Sequence, residues 1–198
     1  MNTPNKLIGG RMKMKYNIEF ELRDKDGNIK QLFQENKLSR YLIKHNILSP
    51  SSKLYRSPLS FLLGGLADKK ILANLVTSAG KAGVASRING AGGEAAFTYI
   101  AMGTGTTAAA IGDTALQTEL AASGLSRANA TASRVTTTVT NDTAQLSNQF
   151  TVTGTVAVTE SGVLNAATGG VLLARQVFSA INVVNGDSLT ITWKFQVS

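Results

Sequence analysis

The sequence predicts a mainly β protein: an antiparallel β-sandwich, jelly-roll-like, over residues 95–198, extended on its N-terminal side by a hairpin and helices. Three observations predict it. Residues 188–197, SLTITWKFQV, alternate: Leu189, Ile191, Trp193, Phe195 and Val197 share one face, and Ser188, Thr190, Thr192, Lys194 and Gln196 the other. That period of two belongs to a half-buried strand, and β-branched and aromatic residues suit its pleated surface. Residues 145–160 repeat the pattern, with Phe150, Val152, Val156 and Val158 opposite Thr151, Thr153, Thr155 and Thr159. Turn signals, Thr168-Gly169-Gly170 and Asn185-Gly186-Asp187, punctuate these runs, as in sandwiches and barrels built of short strands.

Taken in order, residues 1–15 read as a basic extended arm without periodicity, and residues 16–94 as a hairpin plus helices. Ile18, Phe20 and Leu22 alternate with Glu19, Glu21 and Arg23, Asp26-Gly27 supplies a turn, and Ile29 to Phe33 returns, so the hairpin spans Tyr16 to Phe33. Lys37 to Leu48 fits a helix with Leu38, Tyr41, Leu42 and His45 on one face and Pro50 just beyond its end. Asp68 to Ile88 reads as a second helix from the spacing of Leu72, Leu75, Val76 and Ala79, its second half weakened by Gly80 and Gly83. Arg134–Thr140 and Val171–Phe178 complete about four strands. The expected core comprises Phe150, Val152, Val156, Val158, Leu172, Phe178, Leu189, Ile191, Trp193 and Phe195.

Composition narrows the chemistry. There is no cysteine, which excludes disulfides, thiolate metal sites and a cysteine nucleophile, and His45 is the single histidine. Charged residues make up only 16% of the chain, against about 25% in an average soluble protein. Short neutral polar groups take their place, which suits packing against other subunits. No apolar run reaches the roughly 18 residues of a membrane span, and the first residues carry no apolar signal-peptide core, so synthesis and use in a cytoplasm are expected, with no membrane partner. The net charge of +8 is uneven: residues 1–100 carry 16 Lys/Arg and 7 Asp/Glu (net +9), residues 101–198 carry 4 and 5 (net −1). The first half is therefore expected to meet something acidic.

Four motifs invite a chemical reading. Gly103-Thr104-Gly105 in YIAMGTGTTAAAIGDTALQTEL suggests a phosphate loop, but no Lys follows and position 108 is Ala, so neither a P-loop nor a dinucleotide fingerprint is completed. The expectation is a structural turn, with Asp113 or Thr114 capping a short helix through Leu120. In DKDGNIKQLFQE, Asp24, Asp26, Asn28 and Glu35 occupy calcium-ligand positions of an EF-hand-like loop, yet Ile29 stands where Gly is needed and a strand precedes it, so a hairpin turn is expected and no metal or other cofactor. His45 lies alone, and no carboxylate pair is marked for acid–base work, so no catalytic residue is assigned and no enzyme activity expected. Arg11, Lys13 and Lys15 form a basic arm expected to dock on an acidic protein surface, there being no aromatic-rich signature for specific nucleic-acid binding.

Several segments then fall into a recognisable order: Asn74-Leu-Val-Thr-Ser-Ala-Gly80, Phe97-Thr-Tyr-Ile-Ala-Met-Gly-Thr-Gly105, Gly112-Asp-Thr-Ala-Leu116, Thr159-Glu-Ser-Gly-Val-Leu-Asn165, Gly170-Val-Leu-Leu-Ala-Arg175 with Phe178, and Gly186-Asp-Ser-Leu-Thr-Ile-Thr-Trp193. Over residues 74–198 this progression resembles small tailed-bacteriophage virion proteins and the N-terminal attachment modules of phage tail fibres. The resemblance implies a β-sandwich used in virion assembly without enzyme activity, partnered by the major capsid protein or tail components and by further copies of itself. Because no fibre shaft follows the sandwich, the first expectation is a capsid decoration or cement subunit. A tail, neck or baseplate adaptor that anchors fibres is the second, and a calcium-binding module using Asp24 to Glu35 is the alternative from another class.

Overall fold

The computed structural model describes residues 14–198. Along the chain lie β1 (Met14–Arg23), β2 (Leu32–Glu35), helix α1 (Lys37–Lys44), two 3-10 turns (Lys53–Arg56 and Pro58–Leu62), β3 (Gly64–Ala67), β4 (Lys70–Ala73), β5 (Leu75–Val76) and helix α2 (Ser78–Asn89). Then follow β6 (Tyr99–Gly103), β7 (Ala128–Asn129), β8 (Thr131–Val135), β9 (Thr143–Thr151), β10 (Val156–Leu164), β11 (Leu172–Val183) and β12 (Ser188–Val197). Two five-stranded antiparallel sheets, ordered β4-β1-β12-β9-β8 and β5-β11-β10-β6-β7, form a sandwich, and β2 and β3 make a separate ribbon.

The alternation read in the sequence becomes the core. Leu189, Ile191, Trp193 and Phe195 of β12 and Leu146 and Phe150 of β9 turn inward, against Ile100, Met102, Val158, Val163, Phe178, Ile181 and Val183 of the other sheet. The Phe20 and Phe178 rings meet across the layers at 4.5 Å between centroids. Trp193 is fully buried, and its Nε1–H donates to Ser161 Oγ at 3.3 Å, so the ring's one polar atom finds a partner in the opposite sheet. Val197 is the exception among the odd-numbered residues, reaching solvent at the end of its strand.

Three expectations for the first half change. The sandwich does not begin at residue 95, because β1, β4 and β5 belong to it. The turn at Asp24–Asn28 forms, with Gly27 at φ +85°, but the chain after it returns along β1 only through an Arg23↔Ile29 bridge and the Lys30 N–H donating to the Leu22 carbonyl at 2.8 Å, before β4 takes over that edge at Asn17–Phe20. On its other edge β1 pairs with β12 over ten residues, placing Ile18 beside Trp193, Phe20 beside Ile191 and Leu22 beside Leu189. Those three buried side chains contribute about 1.5–3 kcal/mol each. Lys15, assigned to the arm, is an exposed residue of β1 opposite Gln196, while Arg11 and Lys13 lie outside the described residues.

The expected helix over Asp68–Ile88 is two strands followed by a helix. Lys70 and Leu72 point inward while Ile71 and Ala73 point out, and β4 completes the sheet edge from Asn17↔Ala73 to Phe20↔Lys70. Tertiary pairing thus overrides a helical spacing that four residues carried. Helix α2 starts at Ser78, where the Thr77 hydroxyl caps it by accepting from the Gly80 N–H at 2.9 Å. Gly80 and Gly83, read as weak points, form its packing face: a Cβ on Gly80 would stand 2.1 Å from the Leu173 carbonyl oxygen, and one on Gly83 2.5 Å from the Phe97 ring. Glycine lets α2 lie against β11 at backbone distance.

Candidate interaction surface and the polar networks beneath it

The glycine–threonine stretch is explained by one buried carboxylate. Glu160, fully buried on β10, accepts from the backbone N–H groups of Gly105 (3.0 Å) and Thr118 (2.7 Å) on Oε1 and of Gln117 (3.0 Å) on Oε2. Arg175 of β11 donates to Oε2 through Nε (2.8 Å) and Nη2 (2.7 Å), and through Nη1 to Asp113 (2.9 Å). Gln117 Oε1 takes the N–H groups of Thr106 and Thr107. A Cβ on Gly103 or Gly105 would come within 2.4 Å of Glu160 Oε1, so both glycines are there for close approach. The amides that a phosphate would need already serve the protein's own oxygens. No helix forms between Asp113 and Leu120; Asp113 is instead a partner of Arg175, and residues 104–120 are fastened as an irregular loop over the sheet.

A second buried pair closes the side of the sandwich. Lys70 Nζ lies 2.8 Å from Glu35 Oε1, with both side chains withdrawn from solvent. Lys70 also donates to the Ser179 carbonyl (2.9 Å) and hydroxyl, and Ser179 N–H donates to Glu35 at 2.6 Å. Burial pushes the Lys70 ammonium below its ordinary value, and Glu35 opposes that shift. These contacts join β2, β4 and β11 across both layers.

The proposed calcium ligands therefore have separate tasks. Asp24 Oδ1 accepts from the backbone of Asp26 and Asn28 at 2.9 Å each, making the turn, while Glu35 is committed to Lys70 and Ser179. Among the described residues no three His, Cys, Asp or Glu side chains gather as a metal-binding group. His45 caps the end of α1 with its ring against Tyr41.

The segment from Asn36 to Ala67 presents an apolar and basic surface. Of the fifteen large apolar side chains exposed among the described residues, eight fall between Leu38 and Leu66, led by Phe61 (69%), Leu66 (68%) and Ile47 (66%). The two 3-10 turns and β3 pack on one another, bringing Leu54, Leu59, Phe61, Leu62 and Leu66 together, and exposed apolar side chains so grouped mark a contact surface rather than scattered exposure. Residues 36–67 also hold five basic residues, Lys37, Arg40, Lys44, Lys53 and Arg56, and no acidic one. All five are exposed, and none forms an ion pair among the described residues. The α1 face that carries Leu38 and Tyr41 is displayed: both reach solvent, while Ser39 and Ile43 turn inward.

This surface is held firmly. Asn36 caps α1 by accepting from Leu38 and Ser39 N–H, and its own Nδ2 donates to the Leu62 carbonyl at 2.7 Å. Gln34 pairs with the Ile71 backbone in both directions, at 2.8 and 2.6 Å. The Ala180 N–H donates to the Pro50 carbonyl at 2.8 Å, pinning the following loop to β11. No spacing rule announces such a face, since its residues read equally well as core. A strand alternation broken at Glu160 and a lone Arg175 within an apolar run were the available signals for the Glu160–Arg175 pair.

No family model matches the chain, and no curated protein or solved structure is significantly similar to it. Among the described residues no helix is long and apolar enough to cross a membrane.

Proposed function

We propose that the chain is a bacteriophage virion structural protein, a capsid decoration or cement subunit that stabilises the particle through protein–protein contact and performs no catalysis. The observation that carries this reading is the apolar and basic surface of residues 36–67, built on a β-sandwich braced by the buried Glu160–Arg175 and Lys70–Glu35 pairs. The order of motifs over residues 74–198, similar to that of phage virion proteins, supports the same class. Lasting contacts between subunits bury about 2,000–5,000 Å² and are apolar in character. Exposed Leu59, Phe61, Leu62 and Leu66 are the kind of side chains such contacts use. The five basic side chains call for an acidic surface on the neighbour, and their charges set register and orientation more than affinity.

The same surface serves the second reading, an adaptor at the tail, neck or baseplate. Electron microscopy of purified particles with labelled antibody against the chain separates the two. Label spread over the head shell is expected. Label confined to the tail replaces decoration with the adaptor, and unlabelled particles refute the virion reading.

A further inference from the structure

Where α1 meets the sandwich there is a cleft of about 270 Å³ lined by Glu35, Arg40, Lys44, Leu72, Asn74 and Val177, among others. Three of its polar atoms are unusual in being unused. Glu35 is 2% exposed, and its Oε2 has no hydrogen-bond partner although Oε1 is committed to Lys70 and Ser179. Asn74, between β4 and β5, has both carboxamide atoms buried and unpaired. Buried polar atoms are nearly always paired, so three orphans in the wall of one cleft, each showing less than 1 Å² of surface, point to a group that enters it and toward which these side chains turn. Arg40 and Lys44 stand one helical turn apart at the same cleft, both exposed and without an ion-pair partner among the described residues.

We infer that this cleft binds a short, extended, acidic peptide segment of a partner protein. Asn74 offers a donor and an acceptor side by side, which matches the C=O and N–H of a peptide backbone. Glu35 Oε2, acceptor only, takes a further backbone N–H. Its charge keeps carboxylates off the floor, and Arg40 and Lys44 receive them at the rim. Leu72, Leu75 and Val177 leave room for a small apolar side chain between two acids. The volume falls just below that of drug-sized pockets and suits a few residues of chain. This deepens the proposed function by naming the chemistry of the partner, and it rests on the reading of residues 36–67 as a contact surface.

The test is an NMR titration of the full-length, isotope-labelled chain with acetyl-Asp-Val-Asp-Val-amide, compared with acetyl-Lys-Val-Lys-Val-amide and with free aspartate. Saturable shifts of the Asn74 carboxamide and neighbouring amides with the acidic peptide alone, weakening as salt rises, are expected. The double change Arg40→Glu, Lys44→Glu lies on the exposed helix face and should weaken binding by roughly tenfold or more. Asn74→Leu should abolish binding while the melting temperature holds or rises, because it removes two unpaired polar atoms. No saturable shift, equal response to the basic peptide, displacement of the peptide by free aspartate, or undiminished binding by Asn74→Leu each overturns the inference. Peptide binding is read on the isolated chain and antibody label on particles, so failure of one is distinguishable from failure of the other.

Discussion

Replacing Glu160 with glutamine keeps the side-chain shape and removes the charge. In the folded chain Glu160 receives five N–H groups: those of Gly105, Gln117 and Thr118, and two from Arg175. Glutamine has one acceptor atom, so its amide nitrogen must face donors on one side, and buried Arg175 keeps only Asp113 as a counter-charge. Losing two hydrogen bonds to a charged group costs about 3–6 kcal/mol. Breaking a buried ion pair costs about 3–5 kcal/mol by an independent route. At about 2–4 °C per kcal/mol for a chain of this size, Glu160→Gln should lower Tm by roughly 6–20 °C. Urea unfolding gives the free energy, and hydrogen exchange gives its location, with faster exchange at Gly105, Gln117 and Thr118 than elsewhere. A loss below about 1 kcal/mol, with unchanged protection at those amides, would refute the idea that this carboxylate organises the loop.

Further outcomes follow from the same geometry. Gly80→Ala, which helix propensity alone favours by about 1 kcal/mol, should instead destabilise by about 1–3 kcal/mol, because the new methyl meets the Leu173 carbonyl; differential scanning calorimetry decides the sign. Lys70→Met should cost about 3–5 kcal/mol by leaving Glu35 buried and unpaired, and adding Glu35→Leu should recover most of that loss in urea unfolding. The backbone N–H of Val139, ahead of those of Thr137 and Thr138 and the Gln196 carboxamide, holds the Asp142 carboxyl well below the usual carboxylate range. A depressed folded-state value adds stability above the unfolded-state value, about 4, that is lost as pH falls through the folded-state value. Asp142→Asn should therefore flatten the acid limb of the stability profile below about pH 4; an unchanged limb would place the acid sensitivity elsewhere.

The sequence revealed what local physics controls. The alternation in residues 188–197 survives in the structure because β12 buries one face against the other sheet, so its period is written in its own residues, whereas the run 145–160 is divided between the end of β9 and the start of β10 in the opposite sheet, where Thr159, read as outward-facing, is buried. The first half was less legible because long-range pairing decides it. Nothing local tells that β1 lies beside the last strand of the chain, nor that Lys70-Ile-Leu-Ala73 continues the same sheet. Gly80 and Gly83 read as helix-weakening because their value lies in Leu173 and Phe97, far along the chain or outside the helix. Glu160 and Arg175 were visible as isolated charges within apolar strands, but their pairing required the register of β10 with β11. The stripe of α1 was legible as a face but not in its destination, because apolar spacing gives a helix its amphipathic stripe without saying whether the stripe meets the protein's own core or another molecule.

The central claim, that residues 36–67 form the surface by which the chain joins a virion, is tested most directly by counting copies. Quantitative mass spectrometry of purified phage particles should be made with the unaltered chain and with Phe61→Asp, Leu66→Asp, two exposed positions whose change leaves the core untouched. A fixed copy number is expected for the unaltered chain. Near-complete loss is expected for the variant, whose melting temperature in isolation stays at the unaltered value. A variant that enters particles at full copy number, or an unaltered chain absent from them, would contradict that claim.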